Sequence, residues 1–232
     1  MSIDIAPFIG KLSEIFRASD ALYVNSQNHY VTAGGEPFSC AGCPENCCTT
    51  VFYHYTLIEY FFLAEGLSQI TDPVMAEAIA QRSQEYYLEI VRNPFKTDSL
   101  RIMCPLNFDG KCVVYENRPL ICRVHGVPSS LNQPGKAAQR WDGCKRFLEF
   151  HGGKDFPVAI DRTPFYTQIA ALEAQLRKEM VYFQKYKKTI AEMIIDFIRD
   201  EPFLSPTPAP PTCAAPTCHN KACQTPGQRQ DT

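Results

Sequence analysis

Four cysteines fall within nine residues, Cys40-Ala-Gly-Cys-Pro-Glu-Asn-Cys-Cys48. Thiols this dense act as metal ligands or as a redox device, whereas structural core cysteines are scattered singly. Cys40 and Cys43 have the two-residue gap that lets both sulfurs reach one ion, with Gly42 relaxing the backbone between them. Cys47 and Cys48 are adjacent, so their side chains tend to diverge. One can serve a site while its neighbour serves a second site or stays a spare thiol.

A second group follows at Cys104, Cys112, Cys122 and Cys144. Two sets of four thiolates match two tetrahedral zinc sites, or the four ligands of an iron–sulfur cluster. Asp109-Gly110 is a turn signal that brings Cys104 and Cys112 together as a hairpin. Thiolate-bound metal is net negative, so nearby cations matter. Arg118 and Arg123 bracket Cys122, placed to lower thiol pKa values and neutralise the site, and Lys145-Arg146 follow Cys144. His125, three residues after Cys122, could complete a site if one thiol stands aside. His54, in an aromatic run, reads as a packed or surface histidine.

The run Cys104-Pro-x-x-x-x-Gly-x-Cys-x-x-Tyr-x-x-x-Arg-Pro-x-x-Cys-Arg123, preceded by a knuckle ending in Cys47-Cys48, resembles the YkgJ-type cysteine-cluster family. That family is described as a zinc- or iron-chelating domain, and its members are often labelled as containing an iron–sulfur cluster. The resemblance covers roughly residues 38–147, with Cys144 in the place of the family's last cysteine. It implies an iron–sulfur cluster in preference to zinc or iron ions. The family knuckle commonly has a two-residue second gap, whereas this chain has three residues there, Pro44-Glu45-Asn46. The family is also similar in part to flagellin lysine N-methylases, which are longer, and nothing in this chain supplies the rest of such an enzyme.

The elements that must position these residues read as mainly α. The expected architecture packs N- and C-terminal helices around cysteine-rich metal-binding loops. An apolar stripe at Phe8, Leu12, Ile15, Phe16, Leu22 and Tyr23 predicts a helix over 4–30. Residues 56–66 read as a helix stopped by Gly66, and 73–92 as a helix started at Pro73 and ended by Asn93-Pro94. Residues 95–130 read as irregular. A short helix is expected over 136–151, with Trp141 in the core. A long helical pattern runs from Thr163 to about Arg199, packed on the N-terminal helix; a homodimer through it is the alternative. The single domain is expected to span 1–201. Residues 202–232 are Pro-rich and expected to be disordered, yet carry Cys213, Cys218, His219 and Cys223, a set suited to weak metal capture.

Composition bounds the rest. Hydrophobic residues make up 45% and charged residues 21%, ordinary for a globular chain. A net charge of −2 argues against nucleic acid or an anionic membrane as partner. The eleven cysteines are an odd number, so complete disulfide pairing would leave one over. Met1-Ser-Ile-Asp-Ile has no basic start, and no uncharged apolar run approaches the ~20 residues of a membrane span. A cytoplasmic location with reduced thiols is expected. No phosphate-binding glycine loop, nucleophile elbow or paired-histidine zinc motif is present. Three roles follow: an iron–sulfur or metal-binding module in electron transfer or metal handling; a metalloenzyme modifying a protein or peptide; or a structural zinc domain for a protein partner.

Overall fold

The computed structural model describes residues 3–31, 38, 47–151 and 159–199. The fold is mainly α, with seven α-helices among the described residues. Cys40, Cys43 and the whole of 202–232, including Cys213, Cys218, His219 and Cys223, lie outside the described residues. No described helix is long and apolar enough to cross a membrane.

Helix α1 spans Ala6–His29 and buries Phe8, Leu12 and Phe16, the stripe read from the sequence. A two-stranded pairing follows from β1, Tyr53–His54, to β7, Lys188–Thr189. Helix α2, Leu57–Ser68, is apolar nearly all round and forms the centre of the core, burying Leu57, Ile58, Leu63 and Leu67. Its first two amides, Leu57 N and Ile58 N, donate to the Glu173 carboxylate at 2.9 and 3.0 Å, so a distant side chain satisfies donors that an N-terminus leaves open. Gly66 is not the end of this helix. It is a contact point: a Cβ there would stand 2.6 Å from Asn117 Cβ, and the Asn117 side chain donates to Phe62 O at 2.9 Å.

Helix α3, Pro73–Arg92, starts where Asp72 accepts from Val74 N and Pro73 occupies the first turn. Past it the chain is less irregular than its sequence suggests. A hairpin pairs β2, Asn107–Phe108, with β3, Lys111–Cys112, through Asp109 and Gly110, both at positive φ. The five-residue helix α4, Leu120–Val124, carries Cys122. Strand β4, Ser129–Leu131, pairs antiparallel with β5, Gln139–Trp141, and parallel with β6, Ile160–Asp161.

The helix expected over 136–151 is therefore shorter, with α5 beginning at Lys145. Gly143, at φ +100°, turns the chain between strand and helix, and Trp141 sits on the strand, 39% exposed rather than in the core. The long helix expected from Thr163 to Arg199 is two helices, α6 at Thr163–Met180 and α7 at Ile190–Ile198. Val181, left-handed at φ 53°, ends α6, and Tyr182 N closes the turn on Arg177 O at 2.9 Å. The chain then runs through β7, and a capping box of Thr189 and Glu192 restarts the helix. Helix α6 packs on α1 and α2, and α7 packs on α3.

Candidate functional site

The hairpin, the Cys48 turn and α4 meet in the interior. Thr50 bridges to Arg101, Ile102 N donates to Thr49 O, and Cys104 N donates to Cys48 O at 2.9 Å. These bonds lay the two cysteine-bearing segments side by side. Cys112 stands on β3 opposite Asn107, the register expected of a hairpin turning at Asp109-Gly110. Arg82 of α3 steadies this hairpin: its guanidinium lies 4.4 Å from the centre of the Phe108 ring and donates to Cys104 O.

Helix α4 is too short to hold itself, and three buried side chains fix it. Glu59 of α2 accepts from Leu120 N at 2.9 Å at its start, and Arg162 donates to Val124 O at 3.1 Å at its end. Arg123 forms the third tie. It pairs with Asp20 of α1, donates to Arg118 O and Glu116 O, and lies 4.4 Å over the Phe16 ring. Cys122 is thus held from α1, α2 and the start of α6 at once.

The outcome is a cavity of about 520 Å³ lined by Cys48, Cys104, Cys112 and Cys122. His54 and His125 line it too, with Tyr86, Asn107, Lys111 and Arg118. Cys104, Cys112 and Cys122 are free thiols. Burial pushes all three up in pKa, Cys122 to about 12 and Cys104 well above the usual thiol range. Proximity adds to this: each is raised further by neighbouring thiolates, Cys48 among them, while Arg118 pulls Cys112 and Cys122 the other way. In the folded chain these sulfurs are therefore protonated thiols at pH 7. Burial also lowers His54 and His125 to about 4, His125 with added repulsion from Arg162 and Arg101. Both imidazoles are neutral at pH 7, the form that binds metal. Burial raises Tyr86 as well, helped by Cys104 and Cys122.

Not every candidate converges. Of Cys47 only the backbone is described, in a 3-10 turn with Cys48 and Thr49. Cys144 donates its amide to Gly126 O at 3.1 Å and is not part of the cavity wall. Arg118 lines the cavity, its guanidinium stacked 3.4 Å over the Tyr115 ring. Arg123 does not line it; its contacts tether α4 to α1, and its charge still pulls the Cys112 thiol pKa down. His54, expected to be packed or on the surface, is packed: it is only 3% exposed, and it lines the cavity from β1. Sequence reading placed Tyr86 only on an apolar helix face and passed over Asn107 and Lys111. The one available signal for those two was their position flanking the Asp109-Gly110 turn.

Soft sulfur donors with two neutral imidazoles suit zinc, iron or an iron–sulfur cluster. Among the described residues, no three Cys, His, Asp or Glu side chains stand close enough together to hold one ion. The arrangement is a shared thiol-lined cavity, not a closed ligand cage. Compared with family models, characterised proteins and solved structures, the chain matches none.

Proposed function

We propose that the chain binds a metal centre in this cavity, an iron–sulfur cluster in preference to zinc or iron ions. The observation that carries the reading is the meeting of Cys48, Cys104, Cys112 and Cys122, remote in sequence, on one interior cavity. Those four are the ligand candidates from the described residues. Cys40, Cys43 and Cys47 are candidates by sequence, and Cys144 is the weakest, standing away from the cavity wall. The preference for a cluster comes from the Cys104–Arg123 motif and its resemblance to YkgJ-type proteins. Electron transfer or metal handling in the cytoplasm is the role that accords with such a centre.

Anaerobic purification with metal analysis and spectroscopy tests this directly. A brown protein with broad visible absorption is expected. A colourless protein with stoichiometric zinc would sink the cluster and keep the metal centre; a chain that takes up neither iron nor zinc would sink both.

A second reading, a metalloenzyme acting on a protein or peptide, is favoured by the non-thiol lining. Neutral His54 and His125, with Tyr86 and Asn107, share the cavity with the thiols. A site with an open position uses such groups to orient or activate a substrate, whereas a closed structural site has no need of them. A structural zinc domain for a protein partner, and a homodimer through the C-terminal helices, belong to the same set of proposals. Sedimentation of the metal-loaded chain decides the dimer.

A further inference from the structure

The turn between α6 and β7 brings apolar and basic side chains to the surface together. Val181 and Phe183 are both exposed, Phe183 at 77%. Arg177 of α6 pins the bend: its guanidinium lies 5.3 Å from the centre of the Tyr182 ring and donates to Gln184 O. Phe183 is the residue between those two anchors, so it stands at the apex. Val181 enters the bend left-handed, which a β-branched residue does at a cost. Strain of that kind marks segments kept for use rather than for stability. On the return, Tyr186 is buried, while Lys185 and Lys187 on either side of it are exposed. Lys187 Nζ lies 4.0 Å from the centre of the Tyr53 ring, next to which the chain exposes Tyr55.

Charge follows the same segment. Residues 177–188 hold Arg177, Lys178, Lys185, Lys187 and Lys188 against Glu179. Arg177 pairs with Glu173 and Lys188 with Asp196. Lys178, Lys185 and Lys187, all exposed, are the cations offered outward, on both sides of the apolar apex in sequence. The net charge of −2 belongs to the whole chain, and this segment runs against it. We propose that the turn docks the protein on an anionic lipid bilayer, with Val181 and Phe183 entering the acyl boundary and Lys178, Lys185 and Lys187 meeting lipid phosphates. A stable protein interface takes about 20–30 residues a side, and this patch is far smaller; a fluid bilayer needs no matching shape. A nucleic acid would stack on Phe183 but give Val181 no role. The reading is independent of the metal centre, since none of these side chains lines the cavity.

Co-sedimentation of the full chain with vesicles tests it, using phosphatidylcholine alone and phosphatidylcholine with about one-third phosphatidylserine. Binding to the anionic vesicles is expected, with little to the neutral ones and a loss at high salt. Phe183→Ser is expected to weaken binding about tenfold, and Lys185→Gln and Lys187→Gln about fivefold each. All three positions are exposed, so these variants are expected to melt as the parent does. Phe95→Ser removes an aromatic ring 98% exposed elsewhere in the chain and is expected to bind as the parent does. No binding to anionic vesicles, equal binding to neutral ones, or unchanged binding by Phe183→Ser overturns the proposal. An equal loss in Phe95→Ser does so too, because the turn then holds no special place. Retention by a single-stranded oligonucleotide but by neither vesicle assigns the turn to nucleic acid and likewise overturns it.

Discussion

Single residues decide whether the cavity can work as a centre. Cys112 and Cys122 enter it from different elements, a hairpin strand and a short helix, so neither can substitute for the other. If the cavity holds the proposed metal, Cys112→Ser or Cys122→Ser is expected to lose most of it and to lower the melting temperature by about 5 °C or more, since ligand binding and folding share one free energy. Metal analysis with thermal denaturation checks this, and a serine variant with full metal content would remove that residue from the ligand set. His54 gives a pH signature. Its folded pKa of about 4 lies below the ordinary 6.5 because burial disfavours the imidazolium. Below pH 6.5 the unfolded chain therefore takes up a proton that the folded chain refuses. The stability contributed by the neutral ring is complete above 6.5 and lost as pH falls through 4. His125 acts with the same sign. Replacing His54 with Phe is expected to flatten the stability profile across that window by about 1.4 kcal/mol per pH unit, read by urea denaturation of the metal-free protein.

At the scale of elements, the positions of α2 and α4 depend on side chains from elsewhere. The Gly66–Asn117 contact locks α2 against the segment leading to α4. Gly66→Ala puts a methyl group where Asn117 already stands, and a loss of about 1–3 kcal/mol in unfolding free energy is expected. Val181 offers the opposite case. A β-branched residue is held left-handed at the end of α6 while 75% exposed, so its conformation costs energy with little packing in return. Val181→Gly is expected to leave stability unchanged or raise it by up to about 1 kcal/mol, measured by thermal melting. These sites also mark where the sequence was legible. The stripe of α1 and the Asp72-Pro73 start of α3 are local signals, and both helices fall close to their expected bounds. The break in the long C-terminal pattern was hidden. Apolar residues continue at helical spacing through Phe183 and Tyr186, and no Gly or Pro interrupts them. Only the Thr189-x-x-Glu192 capping box betrays the restart. Gly66 misled in the other direction, because a glycine chosen for a tertiary contact looks the same in sequence as one that ends a helix.

For the molecule as a whole, the sequence foresaw the mainly α architecture and gathered the cysteines, but not their division. Cys104, Cys112 and Cys122 belong to one motif whose turn and proline are readable locally, and they line one cavity without closing on a single ion. The standing of Cys144 depends on Gly143 and the β4–β5 pairing, which local pattern does not reveal. Residues 1–202 form one compact unit. Truncation after Glu201 is therefore expected to keep the melting temperature within about 2 °C, and a larger fall would show that the expectation of a dispensable tail is wrong. The carboxylate of Glu173 carries one further consequence. The amides it receives belong to Leu57 and Ile58, and β1, which holds His54, is paired by a strand still later in the chain. In chain order, Cys48, Cys104, Cys112 and Cys122 all precede both of these supports. During synthesis the cavity's thiols are therefore made before the contacts that complete its walls, and the cavity closes only once the chain has passed Thr189. Slowing elongation over the last helices would delay that closure without altering a single atom of the finished protein.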